Sequence, residues 1–349
     1  MKKVQIGNVK IGSGERVAVQ SMTNVKTKNY EKCIEQILQL EDAGCDIIRL
    51  AVPDFESAAA ISKIKPKIHI PLVADIHFDY KLALECMENG VDKIRINPGN
   101  IGSEDRIKQV ADKARNMNIP IRIGVNSGSV EKDILQKYSS PTPEAMIESA
   151  KRHIAILNKF DFDNIVVSLK ASNVKNTIAV YSLAAKTLDY PLHLGVTEAG
   201  TYLSGTVKSS IALGTLLSQG IGDTIRVSLT DDPVNEVIVA REILKSLDML
   251  DNSPTLVSCP TCARCNINLI PLAKQVDEYL RTVNKNITVA VMGCAVNGPG
   301  EAKEADIGIA GGDGCGLIFK KGKIFKKVDE NTLFEELKKE IENIQKSEL

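Results

Sequence analysis

Short runs of Val, Ile and Leu recur through the first two thirds of the chain, at 17–22, 46–52, 72–76, 93–96, 121–125, 164–169, 192–196 and 224–229. They are brief and nearly continuous, the pattern of strands buried on both faces of a parallel sheet. Between them, the stretches 30–43, 81–89, 105–116, 143–157, 177–187, 205–217 and 234–247 repeat their apolar positions every three to four residues and predict helices. The stretch 55–64 carries the faintest helical pattern. Eight alternations of strand and helix predict an α/β fold of the (β/α)8 TIM-barrel kind. The alternative is an open doubly wound sheet, but that architecture usually needs fewer strands, and no glycine-rich dinucleotide fingerprint follows the first run. Ahead of the barrel, 4–12 reads as a hairpin turning at Gly7-Asn8.

The rhythm stops at Asp251-Asn252-Ser253-Pro254, a polar, proline-containing stretch that predicts a domain boundary. The division expected is a barrel over 1–253 and a small α+β domain over 254–349. In the second domain the pattern gives a cysteine loop, a helix at 269–283, a strand at 287–292 and a glycine-rich loop. Strands at 307–310, 316–319 and 324–328 follow, the last two joined by a turn at Lys321-Gly322, and a helix at 333–344 ends the fold.

Charge narrows the function. The 349 residues carry 44 basic and 44 acidic side chains, so the net charge is zero. No global field draws the protein to nucleic acid or an anionic membrane, and neither is an expected partner. Any anion site must be local. No run is apolar and long enough to span a bilayer, and no apolar segment follows Lys2 and Lys3, so a cytoplasmic protein is expected. In that compartment eight cysteines do not read as a disulfide framework. Cys33, Cys45 and Cys86 fall within or at the ends of apolar-periodic stretches and read as packing residues. Cys259, Cys262, Cys265, Cys294 and Cys315 crowd the last part of the chain and need a chemical reading.

The strands carry an unusual polar pattern. Ile48-Arg49-Leu50, Ile94-Arg95-Ile96, Ile121-Arg122-Ile123 and Ile225-Arg226-Val227 repeat one motif, and another strand ends in Ser168-Leu169-Lys170. Side chains alternate along a strand, so an Arg between two aliphatics points away from them. With the aliphatics packed on the helices, four guanidinium groups and one ammonium converge on the barrel interior. Unpaired, they would be too costly to bury. One reading is an internal ion network with Asp75 and Glu198, but two acids are too few for five cations. The favoured reading is a phosphorylated ligand, whose oxygens match the guanidinium fork. Asn97-Pro98-Gly99-Asn100, Asn126-Ser127-Gly128-Ser129 and Gly195-Val196-Thr197-Glu198-Ala199-Gly200 follow strands and offer donors in tight loops, as phosphate cradles do. His77 and His193 are candidates at strand ends, where a lone histidine is often structural. By spacing, Glu198 is either a general acid–base or a salt-bridge partner.

Cys259-Pro260-Thr261-Cys262-Ala263-Arg264-Cys265, with Cys294 further on, has the density of a metal site, and thiolates favour zinc or an iron–sulfur cluster. Cys294 lacks a second cysteine at two-residue spacing. It opens instead a loop of small residues that closes on Glu301. An iron–sulfur cluster is therefore favoured over zinc, and a redox disulfide is a third reading.

These residues resemble a known family. Cys259-Pro260-Thr261-Cys262 and Met292-Gly293-Cys294-Ala295-Val296-Asn297-Gly298-Pro299-Gly300-Glu301 are similar to the 4-hydroxy-3-methylbut-2-enyl diphosphate synthases of bacteria, in their two-domain form. So are Val19-Gln20-Ser21-Met22-Thr23, Ala74-Asp75-Ile76-His77, Ile94-Arg95-Ile96-Asn97-Pro98-Gly99-Asn100, Gly195-Val196-Thr197-Glu198-Ala199-Gly200 and Gly222-Asp223-Thr224-Ile225-Arg226-Val227-Ser228. The resemblance implies a barrel that binds 2-C-methyl-D-erythritol 2,4-cyclodiphosphate. It further implies a second domain akin to those of sulfite and nitrite reductases, carrying a [4Fe–4S] cluster on Cys259, Cys262, Cys294 and Glu301. It implies a substrate-binding set of Arg49, Asp75, Arg95, Asn97, Arg122, Asn126, Lys170, His193, Arg226 and Ser228. Glu198 would be the proton donor, and Asn297 would orient the substrate oxygen. A homodimer and a flavodoxin or ferredoxin donor are implied as well. Cys265 departs from the family, which requires no thiol there. Two other readings stay open: a pterin-condensing type of barrel with a zinc-stapled tail, and a non-catalytic binding protein for a phosphorylated metabolite.

Overall fold

The computed structural model describes residues 2–294 and 302–346, and the chain divides into two compact units, Met1–Met249 and Leu250–Leu349. The first opens with a hairpin, β1 (Lys3–Ile6) and β2 (Val9–Gly12), antiparallel with Ile6 opposite Val9. Gly7 turns it at φ +53, a left-handed conformation that glycine adopts without a Cβ penalty. Eight parallel strands follow: β3 (Ala18–Met22), β4 (Ile47–Ala51), β5 (Leu72–Asp75), β6 (Lys93–Ile96), β7 (Ile121–Asn126), β8 (Ile165–Lys170), β9 (His193–Leu194) and β10 (Thr224–Ile225). Their ladder runs β8-β7-β6-β5-β4-β3-β10-β9. A parallel bridge between Val167 and Leu192 brings its two ends together, with the Val167 amide donating to the Pro191 carbonyl at 2.9 Å. The sheet is thus a barrel, as the alternation predicts.

Aspartates at the strand starts pin the register. Asp46 accepts from the Val19 amide, Asp92 from the Leu72 amide and Asp223 from the Leu192 amide, each at 2.7 Å. The faint pattern at 55–64 is a full helix, Phe55–Ile64. The Asp54 carboxylate caps it by accepting from the Ser57 amide at 2.8 Å. Such a cap is worth about 0.5–2 kcal/mol. The pattern is weak because much of the buried face is alanine, Ala58 and Ala60. Two helices were not predicted: Pro98–Ile101, and Lys132–Tyr138 in the connection after β7.

Two barrel strands are much shorter than 192–196 and 224–229 predict. At Gly195, just past the end of β9, a Cβ would lie 2.9 Å from both the Arg226 carbonyl and the Lys170 ammonium. Pairing does not stop abruptly, since the Arg226 amide still donates to the Leu194 carbonyl at 3.0 Å.

The hairpin has a purpose the pattern does not reveal. Val4, Ile6 and Ile11 pack with Ala18, Ile47, Val73 and Val166, residues at the beginnings of β3, β4, β5 and β8. They close the N-terminal end of the barrel with an apolar plug. Polar interior groups therefore lie toward the opposite end, where barrel sites are built.

The second unit is a five-stranded sheet in the order β11 (Thr255–Ser258), β12 (Thr288–Met292), β13 (Ile307–Gly312), β14 (Cys315–Lys320), β15 (Lys323–Asp329). β11 to β13 run parallel, and β14 and β15 return antiparallel. β11 was not predicted, because it is short and largely exposed and so shows no alternation. The helices Leu269–Leu280 and Leu333–Lys346 supply Val276, Leu280, Leu337 and Ile341 to one apolar cluster with Val289, Val291 and Ile309. The first of these ends three residues before the expected 283, in turns from Thr282 and Val283 back to Tyr279 and Leu280. Among the described residues, no helix is long and apolar enough to cross a membrane.

Candidate active site

The cations expected from the Ile-Arg motifs do converge. Arg49, Arg95, Arg122 and Lys170 are buried on β4, β6, β7 and β8, each within electrostatic reach of the others. Arg95 donates to the Asp75 carboxylate at 3.1 Å, and Arg49 lies 3.8 Å from it. His77 Nε2, on an exposed side chain, approaches the same group to 3.6 Å. Burial opposes the charge on Asp75, but Arg49, His77, Arg95 and Arg122 outweigh it and hold its pKa well below the usual carboxylate range. Arg49 otherwise contacts the Met22 sulfur at 3.1 and 2.8 Å, a weak acceptor for a guanidinium.

Arg226 is placed differently. Its guanidinium pairs with the buried carboxylate of Glu236 at 3.3 Å, which also accepts from the Leu229 amide at 3.0 Å. Glu236 comes from the helix Pro233–Lys245 after the last strand and was not among the predicted residues. The two acids proposed from sequence were Asp75 and Glu198. The second carboxylate among these cations is Glu236. Glu198 is exposed, in the glycine-flanked loop after β9, and makes no ion pair among the described residues. Its φ is +54, a left-handed backbone that costs a non-glycine residue about 1–2 kcal/mol. It lines an open cleft of 650 Å³ with Ser172, Asn173, Val174, Lys175 and Lys208.

The cations outnumber their partners. Arg122 is 1% exposed, and its Nε and Nη1 have no hydrogen-bond partner among the described residues. Lys170 lies against Gly195, and Arg95 against Gly124, where a Cβ would be 2.6 Å from its Nε. Glycine at these two positions leaves room for the long side chains. Burial, reinforced by neighbouring guanidinium groups, pushes Arg122 and Lys170 well below their usual values. Lys93 behaves the same way. It was missed, although it stands two residues before Arg95 and so shares its face.

His193 is fully buried. Nδ1 meets the Thr224 hydroxyl at 2.8 Å, and Nε2 has no partner among the described residues. Burial and the adjacent cations keep it neutral. Tyr181 fixes its backbone, donating to the His193 carbonyl at 2.6 Å while accepting from the Leu169 amide at 3.0 Å. Asn97 and Asn126 sit at the ends of β6 and β7 and order their own loops. Asn97 accepts from the Gly99 amide at 3.0 Å, and the Asn126 amide donates to Ser129 at 3.0 Å. Ser228 is half-buried just beyond β10.

In the second unit, parallel pairing of β11 with β12 brings Cys259 beside the Gly293–Cys294 turn. Cys259 Sγ accepts from the Gly293 amide at 3.2 Å, and the Asn266 amide donates to the Gly293 carbonyl at 2.9 Å. Cys262 is exposed, and hydrogen bonds from the Arg264 backbone and side chain, with the guanidinium charge, lower its pKa and favour the thiolate. Cys265 donates to the Ile267 carbonyl at 3.2 Å and packs on the apolar cluster. Asn297 and Glu301 lie outside the described residues, and among the described residues no group of three or more His, Cys, Asp or Glu side chains is set to hold a metal ion. The donor set nevertheless suits an iron–sulfur cluster: thiols at the ends of adjacent strands, one already accepting a backbone amide and one biased to the thiolate. The contrast with the barrel is sharp. There Cys33, Cys45 and Cys86 are buried, and burial raises their thiols to about 11, 12 and 12.

Fold and site together define a TIM-barrel protein with a buried polycationic interior, joined to a small unit bearing a thiol loop. The GcpE TIM-barrel domain matches residues 1–241 and the GcpE C-terminal domain matches 255–343. The chain belongs to the GcpE family. It is 61% identical over 346 residues to the 4-hydroxy-3-methylbut-2-en-1-yl diphosphate synthase (flavodoxin) of Caldicellulosiruptor saccharolyticus, covering 99% of each chain. It is 60% identical to the protein of the same name from Clostridium acetobutylicum, covering 98% of each. Among solved structures, the dihydropteroate synthase of Xanthomonas albilineans superposes with a TM-score of 0.52 at 12% identity, over 71% of this chain and 98% of that one. The spore coat polysaccharide biosynthesis protein spsE of Bacillus subtilis gives 0.51 at 12% identity, over 71% and 73%. These two likenesses concern the fold alone.

Proposed function

We propose that this chain catalyses the reaction of its relatives, the reductive ring opening and dehydration of 2-C-methyl-D-erythritol 2,4-cyclodiphosphate to 4-hydroxy-3-methylbut-2-enyl diphosphate in the non-mevalonate isoprenoid pathway. The observation that carries this reading is the excess of buried cations over carboxylates in the barrel of a chain so similar to the named synthases. Two electrons and two protons enter, one water leaves, and the ring oxygen departs on phosphate.

Arg49, Arg95, Arg122 and Lys170 hold the diphosphate and stabilise the charge that grows on it as the ring opens. Asp75 keeps Arg49 and Arg95 aligned, and Glu236 does the same for Arg226. Asn97, Asn126, His193 and Ser228 complete the binding set. Glu198 gives its proton to the departing hydroxyl, and its strained backbone supports an imposed position. Asn297 orients the substrate oxygen. Cys259, Cys262, Cys294 and Glu301 would hold a [4Fe–4S] cluster, which supplies electrons one at a time when bound. The electron donor is a flavodoxin or ferredoxin, the protein works as a homodimer, and its location is the cytoplasm.

The test is anaerobic reconstitution with iron and sulfide, followed by reduction with flavodoxin and phosphorus NMR of the product. Conversion of the cyclic to the linear diphosphate is expected. A colourless protein holding stoichiometric zinc, with no conversion, overturns the reading. So does a brown protein that binds the cyclic diphosphate but never opens it.

A further inference from the structure

A TIM-barrel interior is ordinarily filled by layers of branched aliphatic side chains. Here the residues over the hairpin are apolar, but polar side chains begin right beside them, Lys93 being paired with Val73 across the ladder. Gln20 points inward, because the adjacent Ser21 hydroxyl reaches the helix-borne Glu236 at 3.4 Å. Lys93 points inward because it shares the face of Arg95. Arg122 is paired across the ladder with Arg95, and His193 with Thr224. Lys93 and His193 are completely enclosed, and Gln20 and Arg122 are 1% exposed.

Each of these four ends in atoms without a partner among the described residues: both amide atoms of Gln20, Lys93 Nζ, Arg122 Nε and Nη1, and His193 Nε2. Buried polar groups are almost always satisfied, and four such orphans within electrostatic reach inside one barrel point to an occupant. The sign of that occupant follows from the charges. Lys93 faces Arg122 and Arg49, and His193 faces Arg122, Lys170, Lys93 and Arg49. Asp75 is engaged with Arg49 and Arg95, and Glu236 with Arg226. Water alone would satisfy the hydrogen bonds and leave the charge.

We infer that Lys93, with Arg122, Gln20 and His193, forms a deeper oxyanion subsite beneath the barrel mouth, which takes a phosphoryl group of the bound ligand. This rests on the reading of the barrel as a diphosphate site, and adds where one phosphate goes and that Lys93 and Gln20 bind it. Without an anion beside it, burial among cations drives the Lys93 ammonium toward its neutral form. An arriving oxyanion reverses that balance, so binding draws in a proton.

The experiment uses the full-length, cluster-reconstituted protein and inorganic pyrophosphate as the probe. Calorimetry in two buffers of different ionisation enthalpy gives affinity and proton uptake together. For Lys93→Met, affinity should fall by about tenfold or more, the loss of one charge-assisted contact, and proton uptake should diminish. The ligand-free melting temperature should stay level or rise, because an unpaired buried ammonium has gone. Lys93→Gln, which keeps a polar group, should also lose affinity. Wild-type binding that weakens in Lys170→Ala yet is unchanged in both Lys93 variants overturns the subsite and leaves the mouth intact. Lower melting with unchanged affinity and proton uptake makes Lys93 a fold residue and overturns it too. Absence of both pyrophosphate and cyclic-diphosphate binding in the wild type instead removes the parent reading.

Discussion

The barrel and the second unit carry their chemistry on different kinds of scaffold. In the barrel, the charged groups stand on strands, buried and fixed by ladder register, with glycines at 124 and 195 cut to fit them. In the second unit, Cys259, Cys262, Cys265 and Cys294 stand on loops and turns, and Cys262 is exposed. On the proposed reading, the barrel is preorganised for an anionic ligand. Its cost is like-charge repulsion and desolvation, which an anion relieves. A cluster on the thiol loop would couple its ligation to local folding, as metal sites often do. The two should therefore respond separately to mutation.

The largest test of that separation is Cys294→Ser. It should abolish the visible absorbance and the turnover while leaving pyrophosphate affinity at the wild-type value. If barrel binding collapses with the cluster, the two units are not independent. Glu198→Gln comes next. It keeps size and removes the proton, so substrate should still bind while kcat falls by about 10²–10⁴-fold, the range for a positioned general acid. Single-turnover kinetics at near-wild-type speed would make Glu198 a structural loop residue. Lys170→Ala is smaller. It should leave the cluster spectrum intact and weaken substrate binding by about 1.5–3 kcal/mol, or about 10- to 150-fold in Kd.

The same contrast governs what could be read from sequence. Strand alternation turns Ile-Arg-aliphatic triplets into inward-facing guanidinium groups, so Arg49, Arg95 and Arg122 are placed by pattern alone. Lys93 obeys the same rule and was missed only because it begins its strand, where the preceding residue is Asp92 rather than an aliphatic. Glu236 was not legible. It reaches Arg226 from a helix, and no strand periodicity connects the two. The shortness of β9 and β10 was hidden as well. Aliphatic residues continue past Leu194 and Ile225, at Val196 and Val227, although the strands end at Leu194 and Ile225. In the second unit, spacing identified the thiols but not the strand that positions them. β11 is short, exposed and flanked by Pro254 and Cys259, and its place is set by pairing with β12.

The finest test concerns Cys265, the thiol that spacing would enlist and the family resemblance would not. Its position does not exclude it: a Cβ on Gly293 would lie 2.6 Å from its Sγ, so it stands at the same turn as Cys294. Its hydrogen bond sets it apart. Cys259 accepts from a backbone amide, whereas Cys265 faces the Ile267 carbonyl, an oxygen that a ligating thiolate would not favour. Both side chains pack on the apolar cluster under the sheet, so it is the hydrogen bond to the carbonyl that marks Cys265 as a small packing residue with a weak donor. Serine keeps the donor and loses only part of the volume. Cys265→Ser should therefore retain iron content, visible spectrum and turnover, with a stability loss of about 1 kcal/mol, the centre of the usual range for point substitutions. Iron and sulfide analysis beside a thermal melt checks it. Loss of the cluster in Cys265→Ser, with an intact cluster in Glu301→Ala, would make the site a four-cysteine electron carrier and move the ligand from Glu301 to Cys265.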